Sequence, residues 1–209
     1  MPDRHAYSSL KDEELIRLFQ NANERKDSAE RHGAFTVLVE RYQKRIYFAA
    51  RKMVGGNHDE ADEIAQETFV KVYDALQTFR GEAKLYTWLY QIMMNSVIQR
   101  ARKRKVRQMV GLDDIANVME SPEAGPHEIM QRSETTRLIE EAIETLPPKQ
   151  RRVFIMRFYD ELPYEEIASI VGTSVGGLKA NYFHAVRKIG DFLKASGQIP
   201  AELAALYEP

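Results

Sequence analysis

The sequence predicts an all-α fold on three observations. Apolar residues recur every three or four positions through most of the 209 residues, which is the spacing of one helix face. No segment alternates apolar and polar residues as a strand does, and no Asn-Gly or Asp-Gly pair marks a hairpin. Hydrophobic residues make up 44% and charged residues 29%, so the chain has enough apolar surface for a core. A chain of this length forms one or two domains.

The N-terminal half predicts four helices. Ser9, followed three residues later by Asp12, has the spacing of a capping box ahead of the first helix. The second helix is expected to end at Gly55 and Gly56, because glycine adopts the left-handed conformation found after many helices. The four apolar faces consist of Leu15, Ile16, Leu18 and Phe19; Phe35, Leu38, Val39, Tyr42, Ile46, Ala49, Ala50 and Met53; Ala61, Ile64, Ala65, Thr68, Phe69, Val72 and Leu76; and Leu85, Trp88, Leu89, Ile92 and Val97.

A reversal of charge predicts the boundary between two small helical domains. The fourth helix runs into a basic run, and the stretch 113–128 that follows is acidic, lacks helical spacing and contains two prolines. The basic run consists of Arg100, Arg102, Lys103, Arg104, Lys105 and Arg107. We therefore expect domains at 1–108 and 134–194, an irregular acidic linker at 109–133, and a C-terminal tail at 195–209.

The C-terminal domain predicts a helix-turn-helix. Pro147 and Pro148 are placed to open a helix, since the first helical residues need no donor N–H. A two-turn helix from Tyr164 then ends at Gly172, and Ser174 is placed to cap the last helix. In such a motif the second helix lies in a DNA major groove, although a helical hairpin that only packs is the alternative. The residues expected to be exposed there are Ser174, Gly176, Gly177, Lys179, Ala180, Asn181 and His184, with Arg187 and Lys188 further on.

Asn181 and Lys179 are the two residues of that helix with a specific chemical match to DNA. The asparagine amide suits adenine, and the lysine ammonium suits guanine or a phosphate. The basic run offers a second contact with phosphates, which would make the affinity depend on salt. The alternative for the run is a solvated helix end, where cations also suit the helix dipole.

An acidic patch opens the third helix. Acids near a helix N-terminus are favourable in any protein, which explains much of the patch. The preference for acids at a helix N-terminus does not explain why Asp62 and Gln66 lie one turn apart on a face away from the apolar stripe. A basic or polar surface on a partner would explain that placement. The acids are Asp59, Glu60, Asp62, Glu63 and Glu67.

Aromatic residues surround the break between the third and fourth helices. They can stack on unpaired bases or pack in the core, and for Trp88 and Leu89 we favour the core. The aromatic residues are Phe79, Tyr86, Trp88 and Tyr90.

The composition argues against catalysis, cofactors and metals. The chain has no cysteine, its five histidines show no metal-ligand spacing, and Gly55-Gly56 lacks the lysine and hydroxyl of a phosphate-binding loop. We therefore expect no catalytic residue, no metal and no cofactor. No stretch approaches a membrane span and the first ten residues have no apolar run, so a cytoplasmic location is expected. With a net charge of −1, any attraction to nucleic acid has to come from uneven charge distribution.

Several segments, taken in order, resemble bacterial sigma factors of the sigma-70 family. The segment 59–69 resembles the helix that binds core RNA polymerase. Phe79-Arg80-Gly81 through Thr87-Trp88-Leu89, with Asn95 and the basic run, resembles the promoter-melting segment. The segments 146–151, 164–168 and 174–176 resemble the promoter-reading domain. The size and the short linker are similar to the extracytoplasmic-function (ECF) group, which keeps the second and fourth sigma domains.

The resemblance implies a role for each segment. The core-binding residues, facing the clamp helices of the largest polymerase subunit, are Asp59, Asp62, Glu63, Gln66 and Glu67. The minus-ten residues, which hold a flipped base and follow the backbone, are Phe79, Arg80, Gly81, Lys84, Trp88, Asn95, Arg100 and Arg104. The minus-35 residues are Ser174, Gly177, Lys179, Ala180, Asn181, His184, Arg187 and Lys188.

The resemblance also implies partners. They are core RNA polymerase, through its clamp helices and flap, and promoter DNA. An anti-sigma protein is a further partner that holds many relatives inactive. The chain would act as a monomer within the holoenzyme, and its acidic linker would run through the polymerase, where it could mimic nucleic acid.

Three other functions stay open at this point. A helix-turn-helix regulator with a helical sensor domain would dimerise and bind DNA without polymerase. A helical adaptor would bind only proteins and leave the basic run in solvent. A small-molecule enzyme has the least support, because the sequence singles out no site.

Overall fold

The computed structural model describes residues 7–25, 27–109 and 134–197, and within these ranges it contains helices and no strand. The all-α prediction is confirmed. The helices are α1 Asp12–Glu24, α2 Ser28–Met53, α3 His58–Ala75, α4 Leu85–Met109, α5 Glu134–Glu144, α6 Pro148–Phe154, α7 Tyr164–Val171 and α8 Val175–Ala195. A 3-10 turn, Leu76–Thr78, follows α3, and a π-helical turn, Ile155–Tyr159, continues α6.

The helices before residue 110 form one compact unit and those after residue 133 form a second. Of the predicted linker, residues 110–133 lie outside the described ranges, as do residues 198–209 of the predicted tail. The exact domain boundaries therefore stay predictions. None of the helices in the described part of the chain combines the length and the apolarity needed to cross a membrane.

In the first unit, α1 to α4 pack around a continuous apolar core. The core faces follow the predicted spacing on all four helices, because one side of each helix buries its apolar residues against the others. The largest fully buried side chains of this unit are Leu15, Phe19, Ile46, Ile64, Leu76, Leu89, Tyr90, Met93 and Met94.

The start of α1 differs from the prediction. The helix begins at Asp12, so Ser9 lies outside it and the expected Ser9–Asp12 capping box is wrong. The backbone N–H of Lys11 instead donates to the Glu14 carboxylate at 2.7 Å. This is the bond that the third helical residue makes to the cap residue in a capping box, with Lys11 in the cap position. A glutamate three residues after the cap thus decides the start of this helix.

In the second unit, α8 packs against α5, α6 and α7 around a buried Phe154. Its ring stacks on Phe158 at a centroid distance of 5.1 Å and on Tyr182 at 5.9 Å. Pro148 is the first residue of α6, as its missing N–H predicts.

The helix-turn-helix turn is formed by Gly172, Thr173 and Ser174. Gly172 has φ 66° and ψ 38°, a left-handed conformation that strains any residue with a Cβ, and its N–H donates to Ala168 O at 2.9 Å. The Ser174 hydroxyl accepts the backbone N–H of Gly177 at 3.3 Å and so caps α8. Both predictions for this turn are confirmed.

Candidate functional site

The acidic face of α3 is exposed to solvent over most of its length. We use this name for Asp59, Asp62, Glu63, Gln66 and Glu67. The first four are exposed and Glu67 is half-buried. Asp62 and Gln66 lie one turn apart, as predicted, and neither has a hydrogen bond or ion pair to another described residue. This part of the face is therefore available to a partner.

The other part of α3 is joined to the basic end of α4 by a ladder of ion pairs. Arg100 donates to Glu63 at 2.6 Å and to Glu67 at 3.1 Å. One turn further along α4, Arg104 donates to both carboxylate oxygens of Glu60 at 2.8 Å. The pairing runs in opposite directions along the two helices, so α3 and α4 are antiparallel here. Glu63 and Glu67, which the resemblance assigns to polymerase binding, thus contact Arg100, which it assigns to DNA binding.

A buried hydroxyl extends this ladder toward the core. Lys71 donates to Glu67 at 2.6 Å and to the fully buried Ser96 hydroxyl at 2.9 Å. The hydrogen bond from Lys71, supported by Arg100, holds the pKa of the Glu67 carboxyl below its usual value of 4.5. The hydrogen bond to Glu63 raises the pKa of Arg100. Glu67 is therefore charged and multiply paired. Lys71 and Ser96 were not predicted from the sequence, although each lies four residues from a member of the ladder, Lys71 from Glu67 and Ser96 from Arg100.

The loop at residues 79–85, which we call the melting loop after the role that the resemblance implies, presents a short exposed segment. Arg80, Gly81 and Lys84 are exposed, and Gly81 has φ 74°. Phe79 and Trp88 are both half-buried and contact each other at a ring-centroid distance of 4.8 Å. The two aromatic rings form a pair at the base of the loop.

The other predicted residues near this loop divide between the surface and the core. Asn95 lies exposed on α4, whereas Leu89 and Tyr90 are buried, as the core interpretation predicts for Leu89. Tyr86 is half-buried beneath Arg45, whose guanidinium lies 3.7 Å from the ring centroid. Tyr86 and Tyr90 thus have structural partners of their own.

The first turns of α8 present a basic surface. Lys179, Ala180, His184, Arg187 and Lys188 are all exposed, as predicted. Lys179 extends over the Tyr164 ring, with its Nζ atom 5.8 Å from the centroid. Phe183, which was not predicted from the sequence, is 63% exposed and contacts His184. This surface combines cations with one apolar ring.

Two of the predicted α8 contacts are less exposed than expected. Asn181 is half-buried and its Nδ2 donates to Gly177 O at 2.8 Å, so the prediction of an exposed amide is wrong. An asparagine in a helix readily bonds the carbonyl four residues back, and this contact uses one of the two N–H groups of the Asn181 amide. Gly177 is half-buried too, and a Cβ there would lie 3.3 Å from the Ser174 hydroxyl. Ser174, Gly177 and Asn181 thus shape the start of the helix.

Both units match sigma factor families. Residues 38–107 match the family described as Sigma-70 region 2, and residues 136–189 match Sigma-70, region 4. The first match contains the acidic face, the melting loop and the basic run, and the second contains the helix-turn-helix. In the described part of the chain, no group of three or more histidine or acidic side chains is placed to hold a metal ion.

Characterised relatives are similar over most of the chain. The RNA polymerase sigma-H factor of Pseudomonas aeruginosa is 31% identical over 194 residues, which cover 88% of this chain and 94% of that protein. The ECF RNA polymerase sigma-E factor of Escherichia coli K12 is 32% identical over 160 residues, 73% of this chain and 82% of that protein.

A solved structure has the same fold. The sigma factor RpoE from Bartonella quintana, determined with the anti-sigma factor NepR, matches with a TM-score of 0.64 and 24% identity, over 77% of this chain and 96% of that one. Two matched regions in the expected order and relatives above 30% identity lead to one conclusion. The chain belongs to the ECF group of the sigma-70 family of bacterial RNA polymerase sigma factors.

Proposed function

We propose that this chain directs core RNA polymerase to specific promoters and helps separate the DNA strands there. The observation that carries the proposal is the order of the two matched regions, with an exposed acidic helix face and loop in the first and an exposed basic helix in the second. The chain itself is not an enzyme, because a sigma factor supplies binding energy and the polymerase performs the chemistry. A sensor-domain regulator is not favoured, since residues 38–107 belong to a sigma region instead.

The acidic face is proposed as the contact with the polymerase clamp helices. Asp62 and Gln66 have no partner among the described residues, so a basic or polar surface can bind them without first breaking an ion pair. Complementary charge of this kind speeds association and fixes the orientation of two proteins. The flap of the polymerase is a second contact that we propose for the C-terminal unit.

The melting loop is proposed to trap a base of the separated strand. Unstacking a base costs a few kcal/mol, and enclosing or stacking it on protein offsets that cost. The exposed Arg80 and Lys84 supply positive charge beside the loop, and the Phe79–Trp88 pair supplies an aromatic wall. Arg100 and Arg104 reach the DNA backbone in this proposal only by exchanging their carboxylate partners for phosphates.

The exposed face of α8 is proposed to read the minus-35 element. Lys179, Arg187 and Lys188 are exposed, and we propose that Lys179 contacts guanine or a phosphate and the other two contact the flanking phosphates. Asn181 is proposed to contact adenine through its Oδ1 atom and the amide N–H that does not bond Gly177 O.

The division into domains at 1–108 and 134–194, with a linker through the polymerase, is part of the proposal. So are a cytoplasmic location, where polymerase and promoters are found, and a single copy of the chain per holoenzyme. An anti-sigma factor was bound to the similar RpoE of Bartonella quintana, and we propose a regulator of that kind here. Co-purification of this chain with an equimolar inhibitor of transcription would establish it.

Run-off transcription tests the proposed function directly. Purified core polymerase is incubated with fragmented genomic DNA, with and without this chain. We expect discrete start sites only when the chain is present. If the chain does not bind core polymerase, or binds it without producing start sites, the proposal fails.

Charge reversal at Asp62 tests the polymerase contact. Because Asp62 is exposed and has no described partner, Asp62→Lys should raise the Kd for core polymerase about tenfold or more while leaving the unfolding temperature unchanged. Glu13→Lys, an exposed acid on α1, is the matched control and should change the Kd less than twofold. Equal Kd values for the two variants would contradict the contact. Glu67 is less suitable, because its replacement also breaks the ion-pair ladder.

A further inference from the structure

We propose that Gln20, on α1, is a positioning residue that fixes the melting loop for strand capture. The residue lies 56 to 59 positions from its contacts in the sequence, and nothing in its sequence surroundings points to a role. The inference rests on the proposed function, because it takes the melting loop to hold a base of the separated strand.

The side-chain amide of Gln20 binds the backbone just ahead of the loop. Its Nε2 atom donates to Leu76 O at 3.1 Å and to Phe79 O at 3.0 Å, with Gln77 O at 3.4 Å. In return, Gln77 Nε2 donates to the backbone oxygen of Gln20 at 3.4 Å. One side chain from α1 thus gathers three carbonyl groups of one short segment.

The position of these carbonyl groups at the end of a helix explains why an outside donor contacts them. The last carbonyl groups of a helix have no N–H partner within the helix, and the 3-10 turn at Leu76–Thr78 is too short to supply all of them. Phe79 N–H does donate to Leu76 O at 3.2 Å, but Phe79 O lies beyond the turn. The Gln20 amide therefore closes the helix end and sets the direction in which the chain leaves it.

The Gln20 contact fixes one end of the loop, and α4 fixes the other. At the far end, Trp88 N–H donates to Lys84 O at 3.1 Å, which joins the loop to the first turn of α4. At the near end, Phe79 lies between the Gln20 hydrogen bond and the Trp88 ring. Between the two ends, residues 80–84 are exposed. Without Gln20 the near end would be held only by the Phe79 N–H bond to Leu76 O and the contact with the Trp88 ring, so part of the loop's order would have to be gained during binding, which weakens affinity.

The experiment compares strand capture with polymerase binding in the assembled holoenzyme. The probe is a fluorescent single-stranded 12-mer selected from a randomised pool with wild-type holoenzyme. Gln20→Leu removes the donors at similar size, and Gln20→Glu keeps the shape but turns a carboxylate oxygen toward the three carbonyl groups. Gln43→Leu is the matched control, since Gln43 is exposed on α2 and has no hydrogen bond to a described residue.

We expect both Gln20 variants to raise the Kd for the 12-mer about tenfold while the Kd for core polymerase stays within about twofold. The control should change neither value. A purely structural role predicts a parallel loss of both affinities together with a lower unfolding temperature, and that result would overturn the proposal, as would unchanged strand affinity. If Gln20→Leu does not fold, Gln20→Glu decides alone. A wild-type holoenzyme that selects no strand would instead refute the proposed function.

Discussion

Lys179 shows how a single side chain is prepared for DNA. It is exposed on the second turn of α8, and the Tyr164 ring below it limits the directions it can take. The neutral Tyr164 ring presents a face that is attractive to a cation, and burial raises the pKa of its hydroxyl further above the ordinary value of 10.0. Because Lys179 is exposed, its ammonium can exchange the contact with the ring for a phosphate or a guanine.

Lys179→Ala should weaken minus-35 binding by the holoenzyme. Losing one phosphate contact lowers the slope of log affinity against log salt by about 1, and losing a base contact costs about 1–3 kcal/mol at one position. The measurement is duplex affinity at several salt concentrations. Lys44→Ala, an exposed lysine on α2, serves as the control. An unaltered salt slope together with unaltered sequence preference would refute a DNA contact at Lys179.

Single residues were predictable where local geometry decides the outcome. Gly172 and Ser174 follow from turn and cap chemistry, which depends on a few neighbouring residues, and both predictions are confirmed. The exposure of Asn181 was not predictable from its helical position alone, because its amide chooses between solvent and a carbonyl one turn away. The core residues were predictable because period 3.6 identifies the buried face.

At the scale of elements, helical periodicity does not predict the contact of α3 with α4. Helical spacing shows which side of each helix is apolar, but not which helix its polar edge will meet. The ion pairs of Arg100 and Arg104 depend on the two antiparallel helices lying side by side, and the sequence does not predict this packing. For the same reason the hydrogen bonds of Gln20 could not be predicted, since their acceptors belong to a turn far along the chain. The π-helical turn at Ile155–Tyr159 was also missed, since no local composition marks it.

The α3–α4 ladder should make the stability of the first unit depend on pH. The pKa of Glu67 is lowered in the folded chain, so its contribution is fully present above the usual value of 4.5 and disappears as the pH falls through the lower folded value. Glu67→Gln should therefore destabilise the protein by up to about 1 kcal/mol at pH 7 and by progressively less as the pH falls below 4.5. Unfolding temperatures across this range measure the difference. Asp74→Asn, exposed on the same helix, should show no such convergence, and a deficit independent of pH would contradict the ladder.

At the scale of the whole molecule, opposite charges are separated along the chain although they nearly cancel. Thirty basic and thirty-one acidic residues give a net charge of −1, yet α3 begins with an acidic face and α8 presents a basic one. The order of these segments made the family predictable, because each motif is moderately specific alone and the ordered set is strong. The promoter sequence was not predictable, since it depends on the detailed placement of a few α8 side chains.

Cutting the chain between its two units should abolish most promoter selection. A protease site placed within residues 109–133 allows the purified chain to be cleaved before core polymerase is added. Because a covalent tether raises the effective concentration of the second module, its loss should lower promoter affinity by about 100-fold or more. Run-off transcription with the intact and the cleaved chain measures the effect, with the protease-treated wild-type chain as the control. Undiminished initiation by the cut chain would mean that the units act independently.

The π-helical turn after α6 also bears on how this chain tolerates changes in length. In that turn Asp160 N–H donates back five residues to Ile155 O at 3.3 Å, where an α-helix would reach back four. The turn therefore accommodates one residue more than the regular ladder requires. Loss of a single codon within Ile155–Tyr159 would let the backbone rewind into ordinary helical turns, whereas the same deletion inside α8 would rotate every following side chain by about 100°. Among relatives of this chain, single-residue differences in length are thus expected to be more frequent within Ile155–Tyr159 than inside α8.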